Sequence, residues 1–260
     1  MEVIRSADNL KLKHVKKLLA DKAYRAENAQ YVVEGARWVL DAANFKPQAF
    51  CAVFVCQSRA EKFSELLAVV HQSVKASLIF TVESRVFDKI ADTEHSQGIL
   101  AVLAQDTAIR ALGDFCLYLN GIRDPGNLGT IIRTAAAAGF NDVILDACAD
   151  VYNPKTVRSS MSALLKVHVF CAQDISLGAL KQNGYTVYAA DMRGENIFSA
   201  THRPKKAVLI IGSEADGVDG GLLQLADTVV SIPMRDTESL NAAVSAGIIL
   251  YQLKNFEGSL

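Results

Sequence analysis

From Cys116 onward, short apolar runs and helix-like stretches take turns with little chain to spare between them. Six runs read as strands: Cys116–Asn120, Val143–Leu145, Val167–Phe170, Thr186–Ala190, Val208–Ile211 and Thr228–Ile232. Helical patterns lie between most of them, and a last helix runs from Leu240 to about Asn255. Apolar strands alternating with helices need cover on both faces, and the helices supply it. The pattern predicts an α/β fold with a mostly parallel sheet. It also predicts where a ligand goes, because open sheets of this kind bind ligands beyond the carboxyl ends of their strands.

Three loops at those ends hold nearly all the unusual residues. The first runs Asn120-Gly121-Ile122-Arg123-Asp124-Pro125-Gly126-Asn127-Leu128-Gly129 and enters a helix that carries Arg133. Proline and glycine shape a tight strand-to-helix turn. Asn127 is placed either to cap the helix or to offer its amide to a ligand. Arg133 stands beside Ile131, Ile132 and a run of alanines, so its guanidinium needs a carboxylate or phosphate partner. A structural Arg–Asp pair and a bound anion both meet that need.

The second loop is Gly212-Ser213-Glu214-Ala215-Asp216-Gly217. Its glycines permit a close approach of the backbone or a positive φ. Gly-x-Gly-x-x-Gly is absent, and two carboxylates would repel a pyrophosphate, which argues against a dinucleotide-dependent oxidoreductase. They suit a cationic ligand; a plain turn is the other reading. The third loop runs from Ile232-Pro233-Met234 to Ser239-Leu240-Asn241. Ser239 reads as the N-cap of the last helix, and Asn241, a poor helix former, has a side chain to use elsewhere. The last helix, with Leu240, Val244, Ile248, Leu250 and Tyr251, is apolar over much of its surface and needs another layer or subunit against it.

Residues 1–105 read as a smaller α/β domain. A helix capped by Asp8 or Asn9 runs to about Ala20, followed by a strand at Tyr31–Val33, a helix at Ala36–Ala43 and a strand at Phe50–Cys56. A helix at Glu61–His71, a strand at Leu78–Val82, a short helix and a strand at Ile99–Ala104 complete it. Residues 105–113 lose the pattern and read as a linker to a second domain over 113–260. The net charge of −1 does not advertise a nucleic-acid partner, yet residues 1–25 hold seven Lys and Arg against three Asp and Glu. Such a segment either touches phosphates or is a solvated helix face. No apolar run reaches the roughly 18 residues of a spanning helix, and no apolar core follows the first residues, so the chain reads as a cytoplasmic, soluble protein. The five cysteines form no Cys-x-x-Cys pair and sit mostly in apolar runs. They read as buried free thiols rather than as a disulfide frame or a metal site.

Together and in order, the three loops resemble the SpoU (TrmH) family of RNA ribose 2′-O-methyltransferases, of the SPOUT class. Asp124-Pro125-x-Asn127-x-Gly129-x-x-x-Arg133 resembles its first motif, Ile211-Gly212-x-Glu214-x-x-Gly217 the second, and Ile232-Pro233-Met234 with Ser239-Leu240-Asn241 the third. Asn153-Pro154-Lys155 with Arg158-Ser159-Ser160-Met161 is similar to a segment of many members, although Ser162 and Leu165 stand where those members commonly have Gly and Phe. Asp8-Asn9 before a basic helix and Val33-Glu34-Gly35-x-Arg37 resemble the family's substrate-binding domain.

The resemblance implies a SPOUT-type sheet whose C-terminal helix threads a loop to make a trefoil knot, which general rules of chain topology would not suggest. It implies S-adenosyl-L-methionine as cofactor, a homodimer, and methylation of a ribose in structured RNA, ribosomal RNA ahead of transfer RNA. A catalytically silent RNA-binding protein on the same fold would show degraded motifs, and these are intact. The implied cofactor residues are Ala190, Gly212, Gly217, Ile232, Met234 and Leu240. Asn127, Glu214, Ser239 and Asn241 would order the reacting region, with Arg133 as the catalytic arginine. An arginine stays protonated in proteins, so a phosphate clamp that steadies developing alkoxide charge is the expected role. RNA contacts are expected from Arg5, Lys11, Lys13, Lys16 and Arg37.

Overall fold

The structure is a computed structural model that describes residues 2–93, 95–108, 110–199, 204–236 and 239–254. In chain order its elements begin with β1 (Glu2–Ile4), α1 (Leu10–Ala20), α2 (Lys22–Asn28), β2 (Gln30–Glu34), α3 (Ala36–Phe45) and β3 (Phe50–Cys56). Next come α4 (Ser64–Ser73), β4 (Ile79–Val82), α5 (Ser84–Phe87), β5 (Ile99–Ala104), β6 (Phe115–Asn120), α6 (Pro125–Ala138), β7 (Asp142–Asp146) and α7 (Pro154–Ser160). The chain closes with β8 (His168–Cys171), α8 (Leu177–Gln182), β9 (Thr186–Asn196), β10 (Ala207–Ile211), α9 (Gly220–Leu225), β11 (Thr228–Ser231) and α10 (Ala242–Lys254). Two compact units form. The first is Met1–Ala108 with Tyr152–Leu165, the second Ile109–Val151 with Lys166–Leu260.

The first unit is built on a mixed sheet in the order β1-β4-β3-β5-β2, with β1, β4 and β3 parallel and β5 antiparallel to both its neighbours. Leu12, Val15 and Leu18 recur on one face of α1 and meet Phe54, Phe80 and Leu100 of the sheet. Asn9 starts that helix by accepting the Lys11 N–H at 2.9 Å. Asp21 ends it and caps α2 in turn, accepting from Ala23 and Tyr24. The last carbonyls of α1 have no partner within the helix. Arg25 supplies one, donating from a single nitrogen to the Leu18 carbonyl at 2.6 Å and to that of Leu19 at 3.2 Å. Counted on sequence in the basic segment 1–25, Arg25 is only 3% exposed. Glu61 does not begin an α-helix as expected: Gln57–Phe63 wind as a 3-10 helix and α4 starts at Ser64. Arg59 in that tighter stretch donates to the Ser96 carbonyl at 2.8 Å.

Tyr152–Leu165 packs with this unit although the chain on either side belongs to the other. Arg158 pairs with Asp92. The buried Asp41 carboxylate accepts from Arg37 at 2.9 Å and from the Ser162 hydroxyl at 2.5 Å. Met161 and Ser162 both have left-handed φ, +49° and +66°. Glycine is the easy residue there; at Ser162 the bond to Asp41 offsets the strain.

The second unit has the sheet β11-β9-β10-β6-β7-β8, parallel at every pairing. Every residue of β10 is buried, as a strand covered on both faces requires. α10 packs on α6, with Gly247 close to Thr134 so that the two backbones approach. Its Val244 and Tyr251 are exposed. The helix starts at Ala242, two residues later than expected, and Asn255 lies outside the described residues. The cysteines are free thiols; Cys56 and Cys116 are buried, but Cys171 is exposed. Burial, with Asp142 and Asp114 nearby, pushes the Cys116 thiol up to about 12. Among the described residues no helix is long and apolar enough to cross a membrane.

The sole tryptophan, Trp38, is buried in α3 and so reports on the first unit alone. Arg25→Ala strips two carbonyls at a buried helix end, a loss of about 1–3 kcal/mol. The urea midpoint followed by Trp38 fluorescence is expected to drop accordingly; an unmoved midpoint would show that water replaces the guanidinium.

Candidate active site

β11, β9, β10 and β6 are consecutive and parallel, which sets their carboxyl ends side by side. The three loops leave from the ends of β6, β10 and β11. The second and third loops, with the end of β9 and the start of α10, line a cavity of about 280 Å³, near the small end of the range of roughly 300–1,000 Å³ for small-molecule sites. Ala190, Gly212, Gly217, Ile232, Met234 and Leu240 all line it, as do Glu214 and Ser239.

One side chain from each loop closes a ring. Asn127 donates to Glu214 Oε1, and Asn241 donates both to Asn127 Oδ1 at 3.1 Å and to Glu214 Oε1 at 3.2 Å. The ring members are themselves held. Asp124 caps α6 by accepting the Asn127 N–H at 2.8 Å. Asn241 Oδ1 caps α10, accepting from Ala243 at 2.9 Å and Val244 at 3.3 Å. One alternative left open for Asn127 falls away here, and the expected cap of the last helix changes. Asp124 rather than Asn127 caps α6, and Asn241 rather than Ser239 caps α10, because only Asn241 stands directly before the helix.

The two glycines of the second loop have separate reasons. Gly217 takes a φ of +69°. Ser213 and Gly217 exchange backbone hydrogen bonds at 3.1 and 3.0 Å, folding the loop back on itself. A Cβ on Gly212 would then lie 2.0–2.2 Å from the backbone of Gly217 and Val218. The close approach read from the sequence is therefore an approach of the loop's own chain.

Asn120 and Asp191 were missed from sequence. Asn120 ends β6, donating to Asp146 at 2.9 Å and accepting the Asp219 N–H at 2.9 Å, which ties the β7 end to the start of α9. Tyr118 also donates to Asp146 at 3.2 Å, and burial and that carboxylate raise its hydroxyl pKa. Asp191 lies one residue past the expected end of β9 and lines the cavity. A carboxylate directly after an apolar strand was its only signal.

Arg133 does not join the ring. It lies exposed on α6, with no hydrogen-bond or ion-pair partner among the described residues, so the structural Arg–Asp pair considered from sequence is not formed. In the first unit Arg5, Lys11, Lys13, Lys16 and Arg37 are all exposed. Lys13 pairs with Asp8 at 3.0 Å, Arg37 with Asp41, and Lys11 lies over the Phe80 ring.

The SpoU rRNA Methylase family profile matches residues 114–251. The chain belongs to the SpoU rRNA methylase family. An MRM3-like substrate binding domain profile matches residues 9–101. Among curated relatives, the chain is 31% identical to 23S rRNA (guanosine(2553)-2′-O)-methyltransferase RlmP of Bacillus subtilis, over 98% of this chain and 100% of that protein. Among solved structures, an rRNA methyltransferase from Sinorhizobium meliloti aligns with a TM-score of 0.84 and 25% identity, over 99% of both chains. Its AdoMet-bound form aligns with a TM-score of 0.83 and 26% identity over the same shares.

In this SpoU chain the Gly212 contact gives a sharp test. Gly212→Ala is expected to force the Ser213–Gly217 loop open and abolish the calorimetric signal with S-adenosylmethionine, with the far-ultraviolet dichroism retained. Undiminished binding would mean that the loop does not need its closed form.

Proposed function

We propose that this SpoU family chain transfers the methyl group of S-adenosylmethionine to a ribose 2′-hydroxyl of ribosomal RNA. The observation that carries the reading is the closed ring of Asn127, Glu214 and Asn241 at the cavity, with Arg133, which has no partner among the described residues, less than two turns along the helix that bears Asn127. The whole-length similarity to the Bacillus subtilis 2′-O-methyltransferase supports the reaction and the class of RNA.

The cavity lining fits the cofactor. Ile211, Ile232, Met234 and Leu240 offer apolar surface, and Asp191, Glu214 and Asp216 offer carboxylates, with no lysine or arginine among the described lining residues. Bound there, S-adenosylmethionine supplies a methyl group on a cationic sulfur, ready for transfer. Residues 232–234 and 239–241 are not in regular structure, which leaves backbone N–H and C=O groups for a ligand. The amide–carboxylate ring fixes the three loops before any ligand arrives, so alignment of the reacting groups costs little further ordering. Arg133 clamps a phosphate of the RNA with its planar fork and steadies negative charge on the ribose oxygen as its proton leaves.

Residues 1–105 bind the RNA, and 113–260 carry the chemistry. The MRM3-like match over 9–101 and the exposed cations of α1 support the first assignment. A C-terminal trefoil knot is part of this reading. Its support is the chain path: after the edge strand β11 the chain comes back to pack α10 on α6 and β10. Exposed Val244 and Tyr251, with half-buried Ile248 between them, support a homodimer through α10. Ribosomal RNA as substrate agrees with a cytoplasmic enzyme.

Losing a donor aimed at developing oxyanion charge costs about 10²–10³ in rate. Arg133→Ala is expected to lose at least that much turnover on ribosomal RNA while calorimetry shows S-adenosylmethionine still bound. Arg133→Lys should recover little, because charge returns without the fork, and the pH–rate profile should not move. A profile displaced to lower pH in Arg133→Lys would instead make residue 133 the titrating base. For assembly, sedimentation at micromolar concentration should give twice the mass of one chain, and Val244→Glu should halve it; a wild-type monomer with full activity would remove α10 from any interface.

A further inference from the structure

β9 and β11 pair up to Ala189 and Val229, part, and pair again from Glu195 and Val230. Ala190 to Gly194 therefore have no ladder partner on β11, an excursion far larger than the usual one-residue bulge, and bulges re-aim side chains beside active sites. Three features fix its shape. The Ser231 hydroxyl donates to the Gly194 carbonyl at 2.8 Å. A Cβ on Gly194 would lie 2.6–2.7 Å from the backbone of Val229 and Val230, so only glycine closes the excursion. Asp191 Oδ1 accepts both the Arg193 N–H and its Nε–H at 2.9 Å, and Oδ2 accepts from the guanidinium tip at 3.2 Å.

The Asp191 side chain is 18% exposed and the Arg193 side chain 82%. The side-chain and backbone bonds from Arg193 hold the Asp191 carboxyl below its usual range, so the pair stays charged at neutral pH. An exposed pair of this kind adds little stability, too little to account for so constrained a loop. What the pair does achieve is a guanidinium with a fixed plane and direction at the edge of the cavity. A fork fixed in advance gives up less entropy when it meets an anion.

The surroundings name the anion. Arg123 in the first loop and Arg235 in the third are exposed, and each adjoins a cavity-lining residue: Arg123 lies 3.9 Å from Asp216, and Arg235 follows Met234. Three arginines, Arg123, Arg193 and Arg235, thus stand next to lining residues, while the charged residues of the described lining are all acids. An anion is repelled from the interior and attracted to the rim, which fits a polyanion passing across the mouth. We infer that Arg193 is a positioning residue that grips an RNA phosphate beside the target ribose. The inference rests on the ribose-methylation reading above.

The test reads RNA binding separately from turnover. The probe is an unmethylated in vitro transcript of large-subunit ribosomal RNA, with its affinity measured by filter retention across a salt series. Losing one phosphate contact should reduce the slope of log affinity against log salt by about 0.7–0.9. Arg193→Ala is expected to show that reduction and to raise KM for the transcript about tenfold, with the effect on KM rather than kcat and with S-adenosylmethionine affinity unchanged by calorimetry. Arg193→Lys should restore the slope and only part of the affinity. Asp191→Asn should weaken RNA binding in the wild-type background and add nothing to Arg193→Ala. An unchanged slope in Arg193→Ala overturns the inference, and so does a loss confined to S-adenosylmethionine affinity, which would assign the guanidinium to the cofactor's carboxylate. A wild-type chain that binds the transcript without methylating it fails the ribose reading instead, and the salt slope still decides the phosphate contact.

Discussion

β6 and β10 are hydrogen-bonded neighbours running the same way, with Leu119 level with Ile211. The loops that follow these strands therefore begin at one height, within side-chain reach, although Asn127 and Glu214 are 87 positions apart in sequence. The ring of Asn127, Glu214 and Asn241 depends on that register. A slip of one residue would turn alternate side chains to the other face and break it. In return, the ring settles positions that loops would otherwise leave open, because its members sit at the entry of α6, in the second loop and at the start of α10. Order at the site is thus delivered by the most deeply buried strands of the unit.

At Gly212 and Gly194 the reason for glycine is crowding of the chain against itself. Gly212 is met by the backbone of Gly217 and Val218, and Gly194 by that of Val229 and Val230. Both are places where main chain passes main chain at the rim of the cavity. A wall made of backbone is stiff and offers N–H and C=O groups at fixed positions, whereas a wall of long side chains would offer neither. The acidic lining gives the cavity its electrostatic character and the glycines give it its shape.

Periodicity made most strands legible, since apolar runs such as Val208–Ile211 leave little choice about burial. The three loops were legible as chemistry, because polar residues at strand ends have few other reasons to cluster. What escaped was everything that depends on partners distant in sequence. The burial of Arg25 follows from α2 turning back onto the end of α1, which composition cannot show. Ser239 and Asn241 are both competent caps, and the choice between them is made by where the helix can start once Asn241 is bonded to two other loops. β9 runs on to Asn196 because β11 takes it up again after the excursion, a pairing invisible in β9 itself. β1, three residues long, has no periodicity to read and exists only as an edge to β4.

The placement of Tyr152–Leu165 bears on how the molecule is made and how it would come apart. A chain leaving the ribosome completes all five strands of the first sheet by Ala104, yet Asp41 and Asp92 must wait for Ser162 and Arg158. The first half to be synthesised is therefore finished only when most of β6, α6 and β7 already exist, and maturation of the two halves overlaps in time. The same arrangement acts as a clasp. A protease that cuts within residues 105–113 severs the only link read from the sequence, but the later fragment still has fourteen residues, 152–165, built into the earlier one. Nicked in this way, the halves would remain one particle, joined without a covalent bond.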